Sequence, residues 1–212
     1  MAAHWVSNFI LTLILVTVAI LVHNFGHKLV AFFYGATTEL RIWYIKEMPI
    51  SLKPGAKTVK NIPLGAIIPL VVTLLTNGLL YFLTVIQIVI KSDPVKKLGR
   101  KWKRTSNFEE AKIMLAGPIC SILLAYLIKA TSTNQTFLLI NTLLAVFTVI
   151  PIPKLDGAEA YINSRPLFGF GFFFIIASAI LLNIATGTAI TLILSIIIAI
   201  LAGIICYYYT FK

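Results

Sequence analysis

The sequence predicts an all-α polytopic membrane protein with about five to six transmembrane helices, built as one domain over residues 1–212. Hydrophobic residues make up 59% of the chain and charged residues only 12%, whereas soluble domains carry about 25% charged residues. Polar stretches separate apolar runs that are long enough to span or enter a bilayer, at 5–34, 62–90, 112–130, 136–153, 168–184 and 188–209. We therefore predict a core over residues 5–160 and a C-terminal helical pair over residues 166–209.

The first run, residues 5–34, carries two histidines near its end. His23 and His27 are four residues apart, so they lie on one helix face and can bind a single metal ion together. Zinc metalloproteases use this spacing as H-E-x-x-H, in which the Glu is the general base. Asn24 occupies the Glu position in this chain. The first run therefore predicts a metal site that lacks the usual catalytic base.

The next two elements are not simple spans. Residues 37–45 are rich in β-branched and aromatic side chains, which predicts a short β-strand. The run 62–90 contains Asn77-Gly78, a strong turn sequence, at its centre. Each half, of about 14 residues, would give a helix of ~21 Å, too short for a ~30 Å hydrocarbon core. We predict a re-entrant hairpin over 62–90, with a single tilted helix as the alternative.

The fourth run ends in the sequence Pro-Ile-Pro-Lys-Leu-Asp-Gly over residues 151–157. Prolines end the helix and expose backbone groups, which a membrane protein tolerates only inside the protein or beside a watery cavity. Asp156 then offers a carboxylate at the depth of His23 and His27. Two His and one Asp, with a fourth position open, are the ligand set of a catalytic zinc site. The sequence thus predicts a metal site made of these three residues.

The distribution of charge predicts the orientation in the membrane. If Asp156 meets the histidines and 62–90 is a hairpin, all 18 Lys and Arg except Lys129 lie on or beside the face that carries the metal site. Positive residues mark the cytoplasmic face, so the site is predicted near the cytoplasm and the N-terminus outside. The net charge of +11 then indicates contact with anionic membrane lipid rather than with nucleic acid.

These motifs resemble those of the site-2 protease family of intramembrane zinc metalloproteases. His23–His27 matches the family's H-E-x-x-H motif, Pro151–Gly157 matches its P-x-P-x-x-D-G motif, and Ala116–Pro118 matches its A-G-P motif. The resemblance covers residues 5–160 and implies one Zn²⁺ ion bound by His23, His27 and Asp156 in a multi-pass protein of the cell membrane. It also implies that the partners are transmembrane protein substrates or clients, which the family cleaves near the cytoplasmic face. The segment 37–45 resembles the family's short membrane-associated β segment, which implies that it pairs with an unwound substrate as an added strand. The alternative is that it is a simple connector.

Three positions depart from the family's pattern. Asn24 replaces the general-base Glu, and Ser121 and Thr148 stand where the family commonly has asparagines that assist substrate binding. The resemblance therefore implies an impaired intramembrane zinc metalloprotease. The alternative is a catalytically inactive pseudoprotease that binds segments of membrane proteins. A substitute base would have to come from another carboxylate, and the candidates are Glu39, Glu47 and Glu159.

Overall fold

The structure is a computed structural model that describes residues 2–44, 48–49, 58–59, 63–77, 82–83, 86–91, 105–131, 134–184 and 187–212. These residues form seven helices and four short strands. In chain order they are α1 Ala2–Phe33, β1 Thr37–Ile42, β2 Met48–Pro49, β3 Thr58–Val59, α2 Leu64–Leu75, β4 Ile86–Lys91, α3 Asn107–Thr131, α4 Gln135–Val149, α5 Asp156–Asn163, α6 Arg165–Ile184 and α7 Thr188–Phe211. The prediction of a helical, membrane-type fold is confirmed.

Four of the described helices are long and apolar enough to cross a membrane, namely α1, α3, α6 and α7. Each coincides with an apolar run predicted from the sequence. Helix α4 also coincides with such a run, but it has only 15 residues and is about 22 Å long. Helices α6 and α7, which form the predicted C-terminal pair, pack mainly against each other, and α3 contacts α1, α4, α5 and α6. Helix α3 is therefore the central element on which the site is built.

The segment 62–90 is neither one helix nor a hairpin of two helices. Helix α2 ends at Leu75, and Asn77 follows in a turn with a φ of +51°, so a single tilted helix is wrong. The second half is not a helix either, because Ile86–Lys91 forms strand β4. Its run of β-branched residues suits a strand, and β1 supplies the neighbour with which it pairs.

Strands β1 and β4 form an antiparallel two-stranded sheet, in which Thr37 pairs with Lys91 and Ile42 with Ile86. The predicted β segment at 37–45 is thus confirmed over Thr37–Ile42. Successive residues of a strand point to opposite faces of the sheet. Leu40, Ile86 and Ile88 therefore share one face, which we call the apolar face. The other face carries Arg41 and Gln87, and we call it the polar face.

A hydrogen-bonded contact joins the three helices at the centre of the bundle. The Tyr126 hydroxyl of α3 lies 3.2 Å from the hydroxyl of Ser178 on α6 and 3.2 Å from that of Ser195 on α7. All three side chains are buried among apolar residues such as Ile122 and Ile175. Hydroxyl contacts of this kind stabilise helix packing where no water is present. They hold the C-terminal pair against α3, at a distance from the histidines of α1.

Candidate metal centre

Two histidines of α1 and an aspartate from a distant part of the sequence meet in the interior. His23 and His27 lie one turn apart on α1, and Asp156 is the first residue of α5. The His23 Nε2 atom lies 3.2 Å from Asp156 Oδ2 and 3.2 Å from His27 Nε2, and the His27 Nε2 atom lies 3.3 Å from Asp156 Oδ2. His23, His27 and Asp156 are 7%, 0% and 3% exposed, respectively. The predicted ligands are therefore brought together, and this buried triad could hold a metal ion.

The hydrogen bonds behind the triad orient lone pairs towards its centre. His27 Nδ1 donates to the carbonyl oxygen of Ile113 at 2.7 Å, which leaves its Nε2 unprotonated in the neutral ring. His23 Nδ1 lies 3.0 Å from Ser121 Oγ, and a donated bond there has the same effect on His23 Nε2. A proton could bridge only one of the three atom pairs, whereas a metal ion bonds to all three atoms. The donor set therefore fits a cation.

The Asp156 carboxylate is also suited to bind a cation. Burial raises the pKa of Asp156, whereas the charges and hydrogen bonds of protonated His27 and His23 imidazoles bring it to about 2. A cation bound by the two Nε2 atoms would take the place of those protons and hold the carboxylate ionised. Lys154, with a φ of +70°, turns the chain just before α5, and the fully buried Leu155 anchors that turn. The sequence analysis placed Asp156 in the segment that follows a helix, whereas the structure shows that Asp156 begins helix α5. The acidic residues in the first turn of α5 are a signal that could have indicated this helix start.

Two glycines of the predicted motifs allow the close helix packing that the triad needs. A Cβ atom on Gly26 would lie 2.7 Å from the Ala116 carbonyl oxygen, so this glycine lets α1 approach α3. A Cβ atom on Gly117 would overlap the imidazole of His27. Both positions therefore exclude a side chain, and the glycine of the A-G-P motif makes room for the His27 imidazole.

A small cavity adjoins His23 on the apolar face of the sheet. It has a volume of about 30 Å³, which is room for roughly two water molecules, and Asn24, Leu40 and Thr148 are among the residues that line it. Asn24 is 7% exposed, and its Oδ1 has no hydrogen-bond partner in the described part of the chain. The Thr148 hydroxyl donates to the Leu144 carbonyl oxygen at 2.8 Å. The structure thus places Asn24 and Thr148 beside the triad, and Ser121 behind His23.

The carboxylates considered as substitute bases lie elsewhere. Glu39 is exposed and binds Lys91 and Arg41, which lower its pKa below the usual value. Glu159 is half-buried in a pocket on the polar face of the sheet, away from the cavity beside Asn24. Burial, together with the nearby charges of Glu110 and Asp156, raises the pKa of Glu159. Glu47 lies outside the described residues.

Fold and site together define a helical, membrane-type protein with a buried two-His, one-Asp centre. Comparison of the chain with models of known protein families, with curated proteins and with solved structures finds no match. The function must therefore be argued from the residues and the geometry of this chain.

The contact between Ser121 and His23 makes a first prediction. We expect Ser121→Ala to weaken metal binding by about 10–100-fold, because the imidazole loses the hydroxyl that orients it. Competition with a chelator of known affinity measures this change. Ser195→Ala is the matched control, since it removes an equally buried serine hydroxyl on α7 and should leave the affinity unchanged. Equal affinities of the two variants would show that Ser121 does not orient His23.

Proposed function

We propose that this chain is a zinc-binding membrane protein of the site-2 protease type, which receives transmembrane segments of other proteins and whose hydrolytic activity is impaired by Asn24. The observation that carries the proposal is the triad, in which two imidazole nitrogens and one carboxylate oxygen converge beside a water-sized cavity. Ionisable groups buried in an apolar helix are rare, and they mark functional sites in membrane proteins.

The spacing of the three atoms supports zinc as the metal. Zinc binds nitrogen and oxygen at about 2.0–2.2 Å in tetrahedral sites, which sets neighbouring ligand atoms about 3.3–3.6 Å apart. The distances of 3.2, 3.2 and 3.3 Å are close to this value. Calcium and magnesium favour oxygen ligands and higher coordination numbers, so imidazoles suit them poorly. Three protein ligands leave a fourth position, as in catalytic zinc sites.

Asn24 determines what chemistry the centre can perform. A bound zinc ion would supply Lewis acidity at this position. The Asn24 amide oxygen can accept a hydrogen bond from a water molecule in the cavity and orient it, but an amide does not take up a proton at neutral pH. A positioned acid–base group contributes about 10²–10⁴-fold to such a reaction. The placement of Glu39 and Glu159 away from the cavity favours a second candidate, a pseudoprotease that binds clients without cutting them.

The sheet offers a route by which a client could reach the centre. Strand β1 is largely exposed and pairs with β4 along one edge only within the described residues. An extended polypeptide could add to the outer edge by backbone hydrogen bonds. Leu40 belongs to β1 and lines the cavity together with His23, so an added strand would pass close to the triad.

The proposal includes an arrangement in the membrane. Helices α1, α3, α6 and α7 span it, the short α4 makes a fifth crossing, and the segment 62–90, from α2 to β4, enters and leaves on one side. This arrangement places every Lys and Arg except Lys129 on or beside one face, and the positive-inside rule makes that face cytoplasmic. The N-terminus is then outside, and the triad lies towards the cytoplasmic side of the cell membrane.

Photocrosslinking tests whether clients reach the centre along β1. A photoreactive amino acid at position 40, on the apolar face, should capture a single-pass test helix that contains a central Gly-Pro break. The same amino acid at position 39 is the matched control, because neighbouring strand residues point to opposite faces. We expect capture from position 40 to exceed that from position 39 severalfold, and the captured helix to remain uncut. Equal capture from both positions, or none, would contradict the route along β1.

A further inference from the structure

A second pocket lies beside the polar face of the sheet, and among the described residues only Ile88 lines both this pocket and the cavity beside the triad. Its volume is about 360 Å³, within the range of roughly 300–1,000 Å³ that small-molecule sites occupy. The sheet contributes Arg41 and Gln87, and the residues from α3, α5 and the loop before α5 include Glu110, Lys154 and Glu159. We call this the polar pocket, and the proposed function makes no use of it.

The charges around the polar pocket cancel, but they are not paired with one another. Arg41 binds Glu39 at 3.0 Å, and Lys154 donates to the Tyr44 carbonyl oxygen at 3.1 Å. The Glu110 carboxylate accepts a hydrogen bond of 2.7 Å from Thr105. The carboxylate of Glu159 accepts no hydrogen bond from the described residues, and its nearby opposite charge is that of Lys154. Two cations and two carboxylates thus face one space, which suits a ligand that carries both signs.

Gln87 gives an independent indication of a ligand. Its side chain is only 5% exposed, and its Oε1 atom has no hydrogen-bond partner in the described part of the chain. Buried acceptors are almost always hydrogen-bonded, because leaving one unpaired forfeits its hydration. Gln87 lines the polar pocket, so a rotation of its amide towards the pocket would let an occupant supply the missing donor to Oε1. Together with Glu159, this acceptor calls for a group that has several N–H donors.

The position of the pocket relative to the membrane indicates the class of molecule from which that ligand comes. Glu110 lies in the first turn of α3, which is one of the helices able to span a membrane. A helix end of this kind lies at the level of the lipid headgroups. In the proposed membrane arrangement, a pocket there, with cations and carboxylates facing each other, would meet the zwitterionic headgroups of phospholipids.

We propose that the polar pocket binds the headgroup of phosphatidylethanolamine. The primary ammonium group would donate to Glu159 and to Gln87 Oε1, and the phosphate would accept from Arg41 and Lys154. Phosphatidylcholine has no N–H to donate, and phosphatidylglycerol has no cation, so each satisfies only part of the pocket. A lysine side chain of a client would bring one positive charge and no acceptor for the two basic residues.

Native mass spectrometry of the full chain in detergent tests this assignment, with the three lipids added at equal concentration and with identical acyl chains. We expect phosphatidylethanolamine to bind about tenfold more tightly than phosphatidylcholine or phosphatidylglycerol, because the amine makes charge-assisted hydrogen bonds. Glu159→Gln and, separately, Gln87→Leu should reduce this preference. Glu109→Gln is the matched control, since Glu109 is next to Glu110, does not line the pocket, and a Gln there still supports the helix N-terminus.

The outcomes separate this inference from the proposed function. Equal binding of phosphatidylethanolamine and phosphatidylcholine by the native chain, or a preference that survives Glu159→Gln, would overturn the headgroup assignment. Displacement of the bound lipid by a lysine-containing peptide would overturn it in favour of a polypeptide ligand. Zinc content, measured on the same samples, shows that each variant is folded and reports on the triad independently of the pocket.

Discussion

Substituting Asp156 with alanine is expected to remove the metal from this protein. The native chain, purified in detergent and loaded with zinc, should contain about one zinc ion per chain, as the one three-ligand site found among the described residues predicts. Asp156→Ala and His27→Ala should each retain very little. Loss of a residue that merely orients a ligand lowers affinity by about 10–100-fold, and loss of a ligand itself should exceed that. Elemental analysis of the protein peak from size-exclusion chromatography measures the content.

The chain supplies a matched control for this measurement. His4 lies in α1, 19 residues before His23, which is about 28 Å along the helix axis. His4→Ala removes an imidazole from the same helix and should leave zinc content unchanged. Native-like zinc content in Asp156→Ala would contradict the three-ligand centre. A native chain that binds no zinc after loading would remove the basis of the proposed function, while the headgroup assignment would still stand.

The three candidate metal ligands could be predicted because the sequence patterns that indicate them are local. The spacing of His23 and His27 defines a shared helix face, and the prolines at 151 and 153 mark where an apolar helix must stop. The helices follow equally from the length of the apolar runs, because lipid demands that backbone hydrogen bonds be satisfied within each segment. Those constraints act along short stretches of chain, where sequence patterns are informative.

The remaining features depend on tertiary packing, which no single segment encodes. The sequence pattern predicts that the residues of β4 are the second half of an apolar hairpin. They form a strand because they pair with β1, which lies more than 40 positions away. The acceptor for His27 is the backbone carbonyl of Ile113, and a carbonyl is present at every position. The need for glycine at 117 likewise becomes visible only when the imidazole of His27 is in place. Ser121 shows the same limit, since the resemblance implied a substrate contact and the structure places it against His23.

Restoring the acid–base group is expected to have the largest effect on activity. Asn24→Glu should raise cleavage of a single-pass test helix by about 10²-fold or more, because the carboxylate can accept a proton from water and return it to the leaving amine. Glu is one methylene longer than Asn, and the adjoining cavity of about 30 Å³ leaves room for it. Cleavage is followed in proteoliposomes by the appearance of the cytoplasmic fragment.

Asn24→Gln is the control that isolates the chemistry, since Gln has the length and shape of Glu but cannot take up a proton. We expect it to cleave no faster than the native chain, and we expect Asn24→Glu to lose its gain when combined with Asp156→Ala. Equal cleavage by the native chain and Asn24→Glu would mean that another group already acts as the base, with Glu47 the remaining candidate outside the described residues. A zinc-loaded Asn24→Glu variant that captures the test helix and leaves it intact would favour the pseudoprotease, because the missing base would then not be what prevents hydrolysis.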